Sequence, residues 1–262
     1  MIGPEQDLIM AVIIIESVGF SATHSVAEFF QMSGNNQVSH GTKNFTRKKP
    51  IGEHDLSFEN FHQQMINEND KCANSIAVHS LFSPDVITNV IDGTDTQFFS
   101  LMRKQQFKQI MSCFYWAIYG FVNGREDFAQ IFNMFQNKQG ALLKQKGLPV
   151  NMQSCLMLYA FDHVATYNLR LLQHAPRVLF MEDFIAKPTL CAELMGVTTS
   201  ANSQLKVNKG PSHRDKVKDF KFLSESEEIL RKILKHFLIK SERGLITLED
   251  LEQIAEKKSI IR

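Results

Sequence analysis

The segment that most constrains this chain is a β-branched run that ends in small hydroxyl residues and then opens an amphipathic helix. Ile13-Ile14-Ile15 leads through Glu16-Ser17-Val18-Gly19 to Phe20-Ser21-Ala22-Thr23-His24-Ser25, and Val26-Ala27-Glu28-Phe29-Phe30 follows with helical spacing. A short continuous apolar run of this kind reads as a buried strand. The turn after it gathers backbone N–H groups, the hydroxyls of Ser21, Thr23 and Ser25, and the positive end of a helix dipole around one small volume, a seat suited to phosphate or sulfate. Neither G-x-x-x-x-G-K-[ST] nor G-x-G-x-x-G is complete here, so the segment by itself reads equally well as a buried strand and a capped helix.

The alternation continues along the chain. A strand over about Met10 to Ile15 precedes a helix to about Met32, where Ser33-Gly34-Asn35-Asn36 breaks the pattern. Gln37 to His40 returns as a strand, Thr42 to Pro50 is a basic, polar loop, and Leu56 to Glu68 is helical. Ser75 to His79 is a further strand, Val86 to Ile91 a helix or turn, and Gln97 to Met102 a strand ending at Arg103. Long helices fill most of 105–173, and Arg177 to Met181 is a late strand before Glu182-Asp183-Phe184 and a turn marked by Pro188. Strands separated by helices predict an α/β fold with a mainly parallel sheet flanked by helices. Ligands of such folds gather beyond the strand C-termini, where Ser21 to Ser25, His79 and Arg103 emerge. Past Ser200 the chain turns polar, resumes a helical period around Ser226 to Ile239, and opens a last helix at Thr247 with Asp250 at capping-box spacing. One α/β domain over 1–220 with a helical extension over 221–262 packed on it is the simplest organisation.

Composition removes several function classes. The formal net charge is +1, from 29 basic and 28 acidic residues, which argues against a nucleic-acid binder. Cys72, Cys113, Cys155 and Cys191 form no C-x-x-C pair, as expected of buried thiols in a reduced cytoplasmic protein rather than of a disulfide scaffold or a zinc site. The apolar run Leu8 to Ile15 is preceded by Glu5 and Asp7 and followed by Glu16, unlike a signal peptide. Ile110 to Val122 falls short of the roughly 20 residues needed to cross a bilayer and reads as a core helix. The prediction is therefore a cytoplasmic chain with no transmembrane segment; its oligomeric state is left open.

Two further segments accompany the turn at Phe20 to Ser25. Leu101-Met102-Arg103-Lys104-Gln105-Gln106-Phe107-Lys108-Gln109-Ile110-Met111-Ser112 passes from strand to helix with Ser112 nine positions after Arg103. Arg177-Val178-Leu179-Phe180-Met181-Glu182-Asp183-Phe184-Ile185-Ala186-Lys187-Pro188 is a strand, an acidic pair and a proline, continued by Leu194-Met195-Gly196-Val197. In this order the three resemble the sulfotransferase superfamily, enzymes that use 3′-phosphoadenosine 5′-phosphosulfate as donor. The Arg103 to Ser112 spacing is closest to the bacterial carbohydrate and lipid branch. The resemblance covers Ile13 to about Phe220 and implies a P-loop-like sulfotransferase architecture.

It also implies roles. Ser21, Ala22, Thr23, His24 and Ser25 correspond to the donor loop, and Arg103 with Ser112 to the 3′-phosphate site, where the planar guanidinium offers two charge-assisted hydrogen bonds. Asn208-Lys209-Gly210 resembles the late loop that closes over the 3′-phosphate, with Asn in place of the usual Arg. Glu182 and Asp183 organise loops. His79, after the Ile76-Ala77-Val78 strand, is the candidate base for the acceptor hydroxyl; a structural histidine at a strand end is the competing reading. His24 is the second catalytic candidate, a donor to a sulfonate oxygen, or else a helix-start residue fixed by the backbone. His40-Gly41 could line the acceptor cleft, although a loop is the simpler reading.

Two departures bear on chemistry. Phe20 stands where the family commonly places Lys or Arg, and Ala22 replaces the Gly that permits close backbone approach. Either His24, Lys43 or Lys209 compensates, or the chain binds nucleotide and catalyses poorly. Lys43, Arg47, Lys48 and Lys49 could meet an anionic saccharide or form a solvated face. Phe114-Tyr115-Trp116 and Tyr119 have the spacing of core packing more than of a sugar-stacking surface. The leading expectation is sulfonate transfer to a hydroxyl of a carbohydrate or glycolipid, with no metal required. The alternatives are a nucleotide- or saccharide-binding protein of the same fold that has lost catalysis, and a P-loop kinase relative, which the missing loop lysine disfavours.

Overall fold

The computed structural model describes residues 11–44, 57–69, 72–197, 199, 205, 212–218 and 225–261. Contacts within the chain group it into two units, one of 1–102, 170–208 and 258–262, the other of 103–169 and 209–257.

The first unit holds β1 (Ala11–Glu16), α1 (Thr23–Met32), β2 (Asn36–His40), β3 (Lys43–Asn44), α2 (Phe58–Asn69), β4 (Asn74–Val78), α3 (Pro84–Ile91) and β5 (Gln97–Met102). After α4 (Gln106–Val122) and α5 (Glu126–Gln145) in the second unit, α6 (Met152–His174) leads back to β6 (Arg177–Phe180), α7 (Met181–Ala186) and α8 (Pro188–Leu194). The second unit is completed by α9 (His213–Val217), α10 (Ser226–His236), β7 (Ile239–Ser241), β8 (Gly244–Ile246) and α11 (Leu248–Lys257).

The sheet runs β3-β2-β4-β1-β5-β6. Its five longer strands are all parallel and β3 pairs antiparallel with β2, so the expected parallel α/β sheet flanked by helices is present. The apolar strands are buried on both faces, as a parallel sheet between helices requires. On one face Ile13, Ile15, Val38, Ile76, Val78, Phe99 and Leu101 pack against Phe29 and Phe30 of α1 and Phe184 of α7. The three rings meet at centroid distances of 5.3–5.6 Å. The intervening residues Val12, Ile14, Ala77 and Phe98 are buried as well.

Register sets the level of the site. Ile15 lies opposite Val78, and His40 opposite the same Val78, so β2 and β4 end level with Ile15, and Glu16, the last residue of β1, comes level with Gly41 and His79 just beyond them. From β1 the chain moves to β2 on one side, and from β5 to β6 on the other, so the connections diverge between these two neighbouring strands. In open parallel sheets that divergence opens the ligand crevice.

Several local expectations needed correction. Lys43–Asn44, within the expected loop, adds a short strand because its backbone pairs with Ser39 and His40. Glu182-Asp183 lies in the first turn of α7, where carboxylates suit the helix dipole. Pro188 starts α8 at a position that needs no N–H, instead of marking a turn. The helical period expected to reach Ile239 stops at His236, and Ile239 instead opens the β7–β8 hairpin between α10 and α11. The Thr247–Asp250 box is present, Thr247 Oγ1 accepting from the Asp250 N–H at 3.1 Å and Asp250 Oδ2 from the Thr247 N–H at 2.8 Å. The four cysteines are free thiols.

After α11 the chain returns to the first unit and covers the outer edge of β6. The Val178 N–H donates to the Lys258 carbonyl at 2.8 Å and the Ile260 N–H to the Val178 carbonyl at 2.9 Å, closing an otherwise open strand edge. Lys258 Nζ donates to the Leu172 carbonyl and, at 3.1 Å, to the Ala175 carbonyl, a cation at a helix C-terminus. Among the described residues no helix is long and apolar enough to cross a membrane.

Candidate functional site

Three loops converge at the C-terminal edge of the first unit's sheet: Ser17–Ala22 after β1, Gly41 after β2, and His79–Leu81 after β4. An added Cβ on Gly19 would lie 3.7 Å from His79 Cε1, and one on Gly41 would lie 3.6 Å from Leu81 Cδ1. The Gly41 N–H donates to the His79 carbonyl at 3.1 Å and the His79 N–H to the Ile15 carbonyl at 2.8 Å.

Backbone strain is concentrated in the same place. Among the described residues the non-glycine positions with positive φ are Phe20 (59°), Ala22 (54°), His79 (54°) and Leu81 (73°), beside Gly19 at 88°. Each left-handed L-residue costs on the order of 1 kcal/mol and persists only where its surroundings impose it. All four lie in two loops that follow central strands. Ala22, at the position where the resemblance expects Gly, adopts the conformation that Gly tolerates without cost, with φ 54° and ψ 34°. Ala22→Gly is expected to raise unfolding stability by about 0.5–1 kcal/mol, even after the added freedom of the unfolded chain. The urea midpoint checks this; a lower midpoint would mean that the loop gains nothing from relief at position 22.

A buried carboxylate organises the loops. Glu16 is 0% exposed. Its Oε1 accepts from the Ser17 N–H at 3.0 Å, and its Oε2 from the Ser80 N–H at 2.8 Å and the Ser80 hydroxyl at 2.5 Å. His79 Nδ1 lies 3.4 Å from Glu16 Oε1 and donates to the Ser17 carbonyl at 2.7 Å. A carbonyl can only accept, so the neutral ring carries its proton on Nδ1 and a lone pair on Nε2. The side chain is 21% exposed. Burial by itself would lower the pKa of His79, but the Glu16 carboxylate and the Ser17 carbonyl outweigh it and hold the pKa above 6.5.

Two more imidazoles adjoin it. His40 Nε2 hydrogen-bonds Thr23 Oγ1 at 3.0 Å. The His40 ring stacks on exposed His24 at 3.9 Å between centroids and stands 5.7 Å from that of His79. Burial, then His24 and His79, push His40 down to about 4, so it is uncharged at neutral pH. Among the described residues no group of three His, Cys, Asp or Glu is disposed to hold a metal ion. Exposed Lys43 pairs with His40 across the β2–β3 ladder and brings a cation to this edge.

Ser21, Ala22, Thr23, His24, Ser25 and His79 are thus brought together in the first unit. Ser21 and Ser25 are buried, and the Ser21 hydroxyl donates to the Gly19 carbonyl at 3.2 Å. Arg103 and Ser112 belong to the second unit. There the Gln106 side chain donates to the Arg103 carbonyl at 2.7 Å, Glu252 Oε1 accepts from the Gln106 N–H at 2.7 Å, and Asn168 donates to Gln109 Oε1 at 3.0 Å. The Ser112 hydroxyl donates to the Lys108 carbonyl at 3.0 Å. Lys209 and Gly210 lie outside the described residues, as do Asn208, Arg47, Lys48 and Lys49. Phe114 is core, Trp116 packs edge-on against Phe128 at 4.6 Å, and Tyr119 lies against His213 at 5.5 Å, so these aromatics take part in packing as their spacing suggested.

Sequence reasoning missed Glu16 and Ser80 and read His40 chiefly as loop. The available signal was the charge that closes a β-branched strand: a carboxylate there is buried and must find donors. No family model, curated protein or solved structure matches the chain, so its chemistry is argued from residues and geometry.

Proposed function

We propose that the chain is a sulfotransferase that moves a sulfonate from 3′-phosphoadenosine 5′-phosphosulfate to a hydroxyl of a carbohydrate or glycolipid. The observation that carries this reading is His79, its Nδ1 proton given to Ser17 and its Nε2 left basic, beside the Gly19–Ser25 loop at the head of α1. A helix N-terminus after a parallel strand favours an anionic group, and a base next to it suits deprotonation of an attacking hydroxyl. The strand order supports the same reading, because β1 borders the divergence at which parallel sheets bind ligands.

In this mechanism the donor supplies the sulfonate and a nucleotide leaving group. Ser21, Thr23, His24 and Ser25 orient its 5′ side, while the resemblance assigns the 3′-phosphate to Arg103, Ser112, Lys209 and Gly210. His79 Nε2 takes the proton of the acceptor hydroxyl as its oxygen attacks sulfur. Phe20 supplies no cation to the transferring group; His24, which stacks on His40, and Lys43, paired with His40 in the ladder, are candidates to do so, as is Lys209.

The test is calorimetric titration with adenosine 3′,5′-bisphosphate, against adenosine 5′-phosphate and magnesium-triphosphate controls. Binding that requires the 3′-phosphate and falls about tenfold or more in Arg103→Ala is expected, since one charged hydrogen-bond pair is worth roughly 1.5–3 kcal/mol. Preference for the magnesium triphosphate would overturn the reading in favour of phosphoryl transfer. Tight binding of the bisphosphate without turnover on any hydroxyl acceptor would favour the second reading, a binding protein disabled at Phe20 and Ala22.

A further inference from the structure

We infer that Glu16 is the positioning residue of the His79 base, a buried carboxylate that holds the turn carrying the imidazole and keeps a negative charge behind its ring. This inference rests on the transfer reading above and assigns a role to a side chain that the donor-loop resemblance leaves out.

Glu16 closes β1 with no exposure to solvent, and the Ser17 N–H, Ser80 N–H and Ser80 hydroxyl already satisfy its oxygens. Those three donors account for a structural carboxylate, because a buried charge without them would cost several kcal/mol. They do not account for His79 Nδ1 at 3.4 Å from Oε1. That separation is too long for a good hydrogen bond and short enough for strong Coulomb coupling. The Nδ1 proton goes to the Ser17 carbonyl at 2.7 Å, so the ring is oriented by a neutral acceptor and charge-stabilised by Glu16.

The other groups facing His79 do not supply this charge. His40, at 5.7 Å between centroids, is held neutral by burial; His24 stacks on the far partner, His40; and Lys43, beside His40 in the ladder, is exposed. Glu16 also grips both the N–H and the hydroxyl of Ser80, the residue after His79. One carboxylate therefore holds the left-handed turn at His79 and the charge balance of its ring.

In the transfer step the acceptor O–H bond breaks and its proton goes to His79 Nε2. The acceptor oxygen forms the new bond to sulfur. The bond from sulfur to the 5′-phosphate oxygen breaks, and its electron pair leaves on adenosine 3′,5′-bisphosphate. The imidazolium formed faces Glu16, so the positive charge appears where a negative one is already fixed.

The experiment is an NMR pH titration of the His79 ring nitrogens in the isotope-labelled full chain, alongside steady-state kinetics. The wild type is expected to show the Nδ1–H tautomer and a midpoint above 6.5. Glu16→Gln, close in shape but neutral, should lower that midpoint by about one unit or more. It should also reduce kcat about 10–100-fold at unchanged KM. Glu16→Asp, which keeps the charge, should retain part of both. An unchanged midpoint in Glu16→Gln overturns the inference, and so does an Nε2–H tautomer in the wild type. If Glu16→Gln fails to fold, the wild-type titration decides by itself, a midpoint at or below 6.5 overturning it. A midpoint that falls in Glu16→Gln, in a chain that transfers sulfonate to no acceptor, supports the Glu16–His79 pairing and sinks the transfer reading separately.

Discussion

Replacing His79 with alanine is expected to reduce sulfonate transfer by about 10²–10⁴-fold, the usual worth of a positioned general base, while leaving affinity for adenosine 3′,5′-bisphosphate unchanged. The separation follows from geometry. The Nδ1 side of the ring is committed to Ser17 and faces Glu16, which on the proposed reading leaves Nε2 for the acceptor proton, while the donor is assigned to the loop hydroxyls and Arg103 and not to the imidazole. The pH profile supplies the second readout. A base works only when neutral, and the His79 pKa is held above 6.5. Turnover in the wild type should therefore rise with pH through a midpoint above that of free imidazole. In His79→Ala that acidic limb should vanish along with most of the rate. Wild-type turnover in the variant would remove His79 from the reaction and return it to the structural role that a strand-end histidine can play.

Gly120→Ala should destabilise the second unit by about 2 kcal/mol or more, against a gain of about 1 kcal/mol expected from helix propensity alone. Gly120 lies inside α4, where alanine would ordinarily be preferred. A Cβ there would sit 2.2 Å and 2.3 Å from Cδ2 and Cε2 of Phe128. That ring is fully buried, Trp116 meets it edge-on at 4.6 Å, and the Arg125 guanidinium lies 4.7 Å from its centroid. The ring has no room to swing aside, so α4 and α5 must separate or Phe128 must leave its rotamer. Denaturant unfolding measures the loss, and Phe128→Leu in the same chain should recover part of it, as expected of two residues that share a contact. A more stable Gly120→Ala would mean that Phe128 yields at little cost.

Much of the fold was legible because its elements are local. The apolar runs at Ile13–Ile15, Ile76–Val78 and Phe98–Met102 are too short for helices, too apolar for loops, and separated by helical periods, which leaves a parallel sheet as the economical arrangement. Elements without an apolar pattern escaped. Lys43–Asn44 becomes a strand only because β2 is beside it, and Ile239–Ser241 pairs with Gly244–Ile246 through a turn with no strong hairpin signal. Pro188 was ambiguous for a physical reason: its fixed φ and missing N–H suit a turn and the first position of a helix equally.

At the site, the loop at Ser21–Ser25 and the strand-end His79 could be read from the chain, since each is defined by its immediate neighbours. By itself the sequence determined which segments are buried strands, where the longer helices lie, and that hydroxyl residues and a histidine leave the strand ends. Only the tertiary structure decided that Glu16, His40 and His79, separated by 24 and 39 positions along the chain, face one another. Strand register carries that information. Ile15 and His40 both lie level with Val78, and a slip of one residue on any strand would turn these side chains to the opposite face. The strain at Phe20, Ala22, His79 and Leu81 was equally invisible, because residues with a Cβ enter the left-handed region only when distant contacts hold them there.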